Sequence, residues 1–183
     1  MASASISPSA SVSPSGSISP SPSVGIESVR VYPRKALDRV TCRVYLSVDQ
    51  EDLTDGNWTK VLLNTVDYDL GTNFDIVTNN RFTVPVSGLY LIFGKVDFSN
   101  AIANKNYGCG IYINNALTIH DFAHTGDSTN EVTAAVEGEL FLNKDNYIEL
   151  YAISNAGVNT VDLGGGNHHT LIHIRLVTRE GIR

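Results

Sequence analysis

Short runs in which hydrophobic and polar residues alternate follow one another from about Val40 to the end of the chain. A period of two places every second side chain on the same face of an extended strand, so each run predicts a half-buried β-strand. Turn-forming pairs such as Asn79-Asn80 and Asn114-Asn115 separate the runs. The predicted strands cover residues 40–48, 58–63, 81–86, 89–98, 107–113, 117–122, 131–142, 147–153 and 168–178.

Many short strands without an amphipathic helix predict an all-β domain, and specifically an antiparallel jelly-roll sandwich of two sheets around one core. Composition agrees with this, because only 17% of the residues are charged while 42% are hydrophobic. The net charge of −6 disfavours nucleic-acid binding, which relies on clustered Lys and Arg. No run of about 18 apolar residues occurs in the sequence, so we do not expect membrane insertion.

The N-terminus has a different pattern, with serine at every odd position from Ser3 to Ser23. Recurring prolines between the serines forbid a helix and disfavour a central strand. Two interpretations compete: a disordered Ser/Pro linker, or an arm that orders against sister chains or a scaffold. Composition makes the linker the default, whereas an apolar residue at every sixth position suggests the second: Ile6, Val12, Ile18 and Val24. We therefore divide the chain into an arm or stalk (1–25), a connector (26–37) and a domain (38–183).

The two cysteines, Cys42 and Cys109, are too few for a disulfide framework. Both lie in predicted strands, so we expect buried free thiols, with one disulfide as the alternative. Residues 1–25 contain no basic segment followed by an apolar core, and no export signal is predicted there.

Residues 60–93 resemble the signature region of the C1q/TNF-like family, in which an asparagine and spaced aromatic residues lead to a Pro-x-x-Gly-x-Tyr sequence. Weaker echoes at 140–150 and 170–176 extend the resemblance over about residues 38–178. Ile92 stands where the family has an aromatic residue and still suits the core face. Gly88, with Pro85 nearby, is predicted to permit a tight corner. The signature positions are Asn64, Phe74, Phe82, Gly88, Tyr90 and Ile92.

The resemblance implies a jelly-roll homotrimer around a threefold axis, carried at the end of a trimeric stalk. The arm lies where such a stalk attaches, but it is not collagen, because it lacks glycine at every third residue. Three chains together would bury an apolar column that one arm cannot cover.

No catalytic motif supports an enzyme, since the sequence has no GxSxG, GxxxxGK[ST] or HExxH pattern. Gly164-Gly165-Gly166 is interpreted as a flexible loop rather than an anion cradle, because no helix follows it. Trp58 is predicted to be a core residue, with an exposed sugar-stacking platform as the alternative. Asn57 begins a glycosylation sequon that matters only on a eukaryotic secretory route.

We predict no cofactor, but four residues are weak metal candidates. His169 and His173 are expected to share one face of the last strand, about 13 Å apart at roughly 3.3 Å per residue. That is too far for one ion within a chain, so a transition metal would need a threefold axis. Asp67 and Asp69 offer oxygen ligands for calcium but match no defined loop.

The sequence as a whole favours a non-enzymatic structural or adhesive subunit. A C1q-like head, a Ser/Pro arm and the lack of an export signal fit a phage fibre, decoration or receptor-binding protein, at the virion or an extracellular surface. Expected partners are two further copies, a virion or appendage scaffold contacted through residues 1–25, and a host-surface receptor or glycan. The alternatives are a secreted C1q-like ligand- or carbohydrate-binding protein and, less in keeping with the histidine positions, a cupin-like enzyme.

Overall fold

The computed structural model describes residues 39–127 and 130–181. The predicted arm, with its column of apolar residues, and the predicted connector lie outside the described residues. Their boundaries stay predictions, as does the contact of Ile6, Val12, Ile18 and Val24 with a scaffold. The described residues belong to the predicted domain 38–183.

Every regular element among the described residues is a β-strand. This confirms the predicted all-β class. The strands are β1 Thr41–Tyr45, β2 Thr59–Lys60, β3 Thr65–Leu70, β4 Phe74–Asp75, β5 Arg81–Thr83, β6 Gly88–Ser99, β7 Asn106–Ile113, β8 Ala116–His124, β9 Glu131–Leu142, β10 Tyr147–Ser154, β11 Asp162–Leu163 and β12 Leu171–Arg179.

The strands form two six-stranded antiparallel sheets that face each other across one core. Sheet 1 has the order β9-β6-β12-β1-β3, and β11 extends the ladder at the C-terminal end of β6. Sheet 2 has the order β4-β5-β10-β7-β8, with β2 alongside β10. The predicted two-sheet antiparallel sandwich is therefore confirmed.

The last predicted strand begins too early in the sequence-based prediction. β12 starts at Leu171 rather than at residue 168, because the chain is still turning after Gly166, which has a φ of 120°. The backbone N–H of His169 donates to the Gly166 carbonyl at 3.1 Å and closes that turn. His169 and His173 consequently do not share a strand face, and the prediction that they do is wrong.

The core is made by the inward-facing residues of both sheets. Phe82 and Tyr90 are fully buried with ring centroids 6.3 Å apart, and Phe98 and Tyr107 pack at 5.1 Å. Burying a large apolar side chain contributes about 1.5–3 kcal/mol, so the two aromatic pairs hold the sheets together.

The signature residues play two different parts in this architecture. Phe74, Phe82, Tyr90 and Ile92 are all buried in the core. Asn64 instead joins the end of β1 to the start of β3, because its Oδ1 accepts a hydrogen bond from the Ser47 N–H at 2.9 Å.

Gly88 is required for a different reason from the predicted one. It is the first residue of β6, and the bend in the chain comes earlier, at Pro85 and Val86. A Cβ at Gly88 would lie 2.3 Å from the carbonyl oxygen of Thr178 on β12. The close approach of two backbones, rather than a corner, therefore excludes a side chain here.

The β7–β8 hairpin turns on two residues, Asn114 and Asn115, with φ values of 50° and 67°. We expect Asn115→Val to lower the free energy of unfolding by about 1–2 kcal/mol, because a β-branched residue resists the left-handed region. Asn115→Gly is the control and should match or exceed wild-type stability. Urea denaturation measures both, and equal stability of the Val and Gly variants would contradict the turn geometry.

Candidate interaction surfaces

The outer face of sheet 1 carries a band of apolar side chains, which we call the apolar face. Phe141, Leu70 and Tyr68 are 55%, 47% and 38% exposed, respectively. Half-buried residues of β6 lie between the two edges of the sheet. The apolar face consists of Tyr68, Leu70, Leu89, Leu91, Phe93 and Phe141. Surfaces of this kind on soluble proteins commonly mark interaction sites.

Charged residues on β1 and β12 lie between the apolar residues of β3 and those of β6, and further charged residues lie on the edge strand β9. Arg43 on β1 donates to Asp67 and to the carbonyl of Asn167, both at 2.5 Å. Arg175 on β12 is exposed, while Glu137 and Glu139 project from the edge strand β9. The centre of sheet 1 is thus basic and its β9 edge is acidic.

His173 lies at the centre of the same face. It is paired with Arg43 on β1 and Phe93 on β6, and its ring packs edge-on against Tyr68 with centroids 6.2 Å apart. Burial first, and then the positive charges of Arg175 and Arg43, lower the pKa of His173 below its ordinary value of 6.5, while Glu137 opposes the shift. The neutral imidazole is therefore the favoured form.

This shift gives a pH dependence with a definite sign. Because the folded protein binds a proton at His173 less readily than the unfolded chain, stability is fully present above pH 6.5 and falls as the pH drops through the folded-state pKa. We expect the free energy of unfolding to decrease between pH 7.5 and 5.5. His173→Gln should flatten that decrease, whereas His124→Gln should retain it. Guanidinium titrations at both pH values measure the effect, and identical slopes for all three proteins would contradict it.

A cleft of about 430 Å³ lies beside β6 and β9, next to the loop that carries Gly164 and Gly165. Asp97 lines it and serves as a hub of polar contacts. Its Oδ2 lies 2.9 Å from Nδ1 of His169 and 3.3 Å from Nζ of Lys95, and its Oδ1 accepts a hydrogen bond from Thr133 at 2.6 Å. The carboxylate thereby connects β6, β9 and the loop before β12.

The triple-glycine segment is packed rather than open. The N–H of Gly165 donates to the carboxylate of Asp49 at 2.7 Å, and that of Gly166 donates to the carbonyl of Leu46. A Cβ at Gly165 would lie 2.5 Å from the backbone of Val48. These glycines therefore allow two chain segments to pack closely against each other. The segment is held by these contacts, so the prediction of a flexible loop is wrong.

The structure does not bring the four metal candidates together within one chain. Asp67 pairs with Arg43, Asp69 accepts the N–H of Phe74 at 2.8 Å, His169 binds Asp97, and His173 packs on Tyr68. Among residues 39–127 and 130–181, no three His, Cys, Asp or Glu side chains are arranged to hold a metal ion. An ion shared between chains on a threefold axis stays a prediction.

The outer face of sheet 2 has an aromatic surface, which we define as Trp58, Tyr112, His120, Phe122 and Tyr151. Trp58 is half-buried and lies over Gly110, where a Cβ would come within 2.8 Å of its ring. Tyr112 and Tyr151 stack with centroids 3.9 Å apart. Trp58 thus covers the outside of sheet 2 and does not belong to the core, contrary to the sequence-based prediction.

Next to this surface lies an ion pair that the sequence analysis missed. Nζ of Lys60 donates to Oε1 of Glu149 at 2.5 Å and also to the carbonyl of Asn79. The Glu149 side chain is only 5% exposed, and its Oε2 has no hydrogen-bond partner. Glu149 is the one charged residue of strand β10, and this feature of the sequence could have indicated a buried ion pair.

No protein-family model matches the chain, and no curated protein shows significant sequence similarity to it. Solved structures do match. The globular domain of zebrafish complement 1qA is 14% identical and superposes with a TM-score of 0.58, covering 78% of this chain and 99% of that one. The domain has the C1q/TNF-like fold.

Two further C1q/TNF-like structures match over similar lengths. Murine APRIL at pH 5.0 is 12% identical with a TM-score of 0.58, covering 76% of this chain and 99% of that one. Eiger TNF from S. frugiperda is 8% identical with a TM-score of 0.60, covering 79% and 96%, respectively. Nearly the whole length of each matched chain thus corresponds to this domain. No helix among the described residues is long and apolar enough to cross a membrane.

Proposed function

We propose that the chain is a non-enzymatic structural or adhesive subunit. In this proposal three copies form a C1q/TNF-like head, and the arm of residues 1–25 anchors the head in a larger assembly. The assembly that we favour is a phage virion, where the chain serves as a fibre, decoration or receptor-binding protein. The outward loops of the head would then contact a host-surface receptor or glycan.

The apolar face of sheet 1 is the observation that carries the proposal. Phe141 and Leu70 are about half-exposed on this sheet face. Leaving such apolar surface in contact with water is unfavourable, and covering it with another surface lowers the free energy. A second copy is the occupant that the C1q/TNF-like fold favours, because the resemblance implies a trimer. The Ser/Pro arm supports attachment, since its regular apolar column suits a scaffold groove better than solvent.

Sedimentation equilibrium of the full chain tests self-association. We expect three times the mass of the respective monomer, which is 19.8 kDa for the full chain, both with and without residues 1–25. Phe141→Asp on the apolar face should give a folded monomer, because a buried unpaired charge opposes association. Phe122→Asp, a change of the same kind at a 44% exposed phenylalanine on sheet 2, should remain trimeric. A monomeric wild-type chain at micromolar concentration would remove the proposal.

Attachment is tested separately by incorporation into particles. If the arm is the anchor, the chain lacking residues 1–25 should trimerise but no longer co-sediment with the virion. Retention of the truncated chain on the particle would contradict this and would mean that the head itself attaches the chain to the virion.

The aromatic surface of sheet 2 favours the alternative function, a secreted C1q-like carbohydrate-binding protein. Exposed aromatic rings such as Phe122 offer apolar faces to the C–H groups of sugars. A glycan array probed with the full chain and with Phe122→Ser distinguishes sugar binding at this surface from glycan contacts made by the outward loops. Sugar binding that depends on Phe122 would support the alternative.

A further inference from the structure

We propose that acid dissociates the assembly of this chain, because protonation of His173 places a positive charge at the centre of the apolar face that a second copy covers. This inference rests on the proposed self-association and adds a regulation to it. The assembly should therefore hold together at neutral pH and come apart in an acidic medium.

The position of His173 on sheet 1 is the first observation. β12 is the middle strand of the order β9-β6-β12-β1-β3, and His173 is paired with Phe93 on one side and with Arg43 on the other. Its ring packs edge-on against Tyr68 with centroids 6.2 Å apart. A second copy that covers Tyr68 and Phe93, two residues of the apolar face, must also cover the imidazole between them.

Two arginines lie beside His173. Arg43 is its pairing partner on β1, and Arg175 lies two residues along β12 on the same face of the strand. Asp67 on β3 is already bound to Arg43. The uncharged hydroxyl of Thr41 lies 3.5 Å from Nε2 of the imidazole. A proton on His173 would therefore add a third cation to this part of the face.

The charged groups on β6 and β9 change this balance only in part. Glu137 on β9 is the opposing charge, but Phe93 separates it from His173 by two strand spacings, about 9.6 Å. Lys95 and Asp97, further along β6, form an ion pair with each other. Glu137 therefore offsets only some of the repulsion from the two arginines.

Covering the face makes the charged imidazole still less favourable. In the free chain, burial is already the main cause that lowers the pKa of His173, ahead of Arg175 and Arg43. A second copy removes more water from the ring and lowers that pKa further, so association releases a proton wherever His173 was protonated. The contribution of His173 to the affinity is thus constant above pH 6.5 and falls as the pH drops through the pKa of the free chain.

Sedimentation equilibrium of the full chain at pH 7.5 and 5.0, with and without EDTA, tests this dependence. We expect the dissociation constant of the wild-type assembly to rise by at least about tenfold in acid, since each proton that must be released lowers the affinity by up to tenfold per pH unit. Circular dichroism and the emission of Trp58, the single tryptophan, should show that the dissociated chain remains folded. Unfolding of the dissociated chain at pH 5.0 would overturn the inference.

Three variants assign the effect to His173. His173→Gln is neutral at both pH values and should lose the pH response, whereas His120→Gln, at an exposed histidine on sheet 2, should retain it. His173→Lys is positive at both pH values, so its assembly should already be as weak at pH 7.5 as the wild-type assembly is in acid. An acid response that persists in His173→Gln, or a His173→Lys assembly of wild-type affinity, would overturn the role of His173.

The outcomes separate this inference from the function on which it rests. A chain that is monomeric at pH 7.5 overturns both. An assembly with the same dissociation constant at both pH values overturns the regulation by pH and leaves the self-association intact. Dissociation by EDTA at pH 7.5 would assign the effect to a metal ion shared between chains and would overturn the role given to the proton.

Discussion

Replacing Tyr90 by alanine is expected to lower the free energy of unfolding by about 3–5 kcal/mol, enough to unfold a domain of ordinary stability. Tyr90 is fully buried, its ring packs on Phe82, and its hydroxyl donates to the carbonyl of Val86 at 2.7 Å. The variant removes the ring and leaves a cavity where the two sheets meet.

Tyr90→Phe separates the contribution of the ring from that of the hydroxyl. It keeps the packing and leaves only the Val86 carbonyl without its donor, so we expect a loss of about 1–2 kcal/mol. Urea denaturation followed by circular dichroism measures both variants. Equal losses for Ala and Phe would show that the hydrogen bond, not the packing, dominates at this position. The burial that raises the pKa of Tyr90 to about 12 means that this phenol stays protonated throughout such experiments.

The second large effect concerns the ion pair beside the aromatic surface. We expect Lys60→Met to cost about 2–4 kcal/mol at neutral pH, because it leaves the Glu149 carboxylate buried without a cation. Lys60 itself is 26% exposed, which places the expected loss below that of a fully buried pair. Thermal and urea unfolding of the full chain measure the change.

A double-mutant cycle shows whether the unpaired Glu149 carboxylate causes the loss of stability in Lys60→Met. Glu149→Gln in the Lys60→Met background removes the charge, so this double variant should be more stable than Lys60→Met alone. Glu149→Gln by itself should cost less, since Lys60 retains contact with the Asn79 carbonyl and with solvent. Additive losses without coupling would mean that the two side chains act independently.

The long strands were predictable because they are extended runs rich in apolar, β-branched and aromatic residues, bounded by turn-forming residues. β9 was predicted with the bounds that it has, and β6 and β10 within a residue or two. β3 also alternates, with Val66, Tyr68 and Leu70 as its apolar positions, but it was not predicted; all three side chains are exposed, and its backbone partners lie on β1. β4 and β11 have only two residues each, too few to produce a pattern.

Side-chain chemistry was less predictable than the strands, because it depends on which strands become neighbours. The distance argument for His169 and His173 assumed a continuous strand, and the turn at Gly166 removes that assumption. The pairing of Lys60 with Glu149 joins residues 89 positions apart, and only the β2–β10 contact brings them together. The separation of charge on sheet 1 likewise requires the order of its strands, which alternation alone does not supply.

The two thiols have a consequence for where the domain is able to fold. Cys42 on β1 and Cys109 on β7 are buried and unpaired, and burial raises the pKa of each above its ordinary value. Thiolates, the reactive form, are therefore scarce at both positions. The domain accordingly needs no oxidant to fold, and its buried thiols are protected from oxidation. We therefore expect the same covalent structure in a reducing cell interior and in an oxidising external medium.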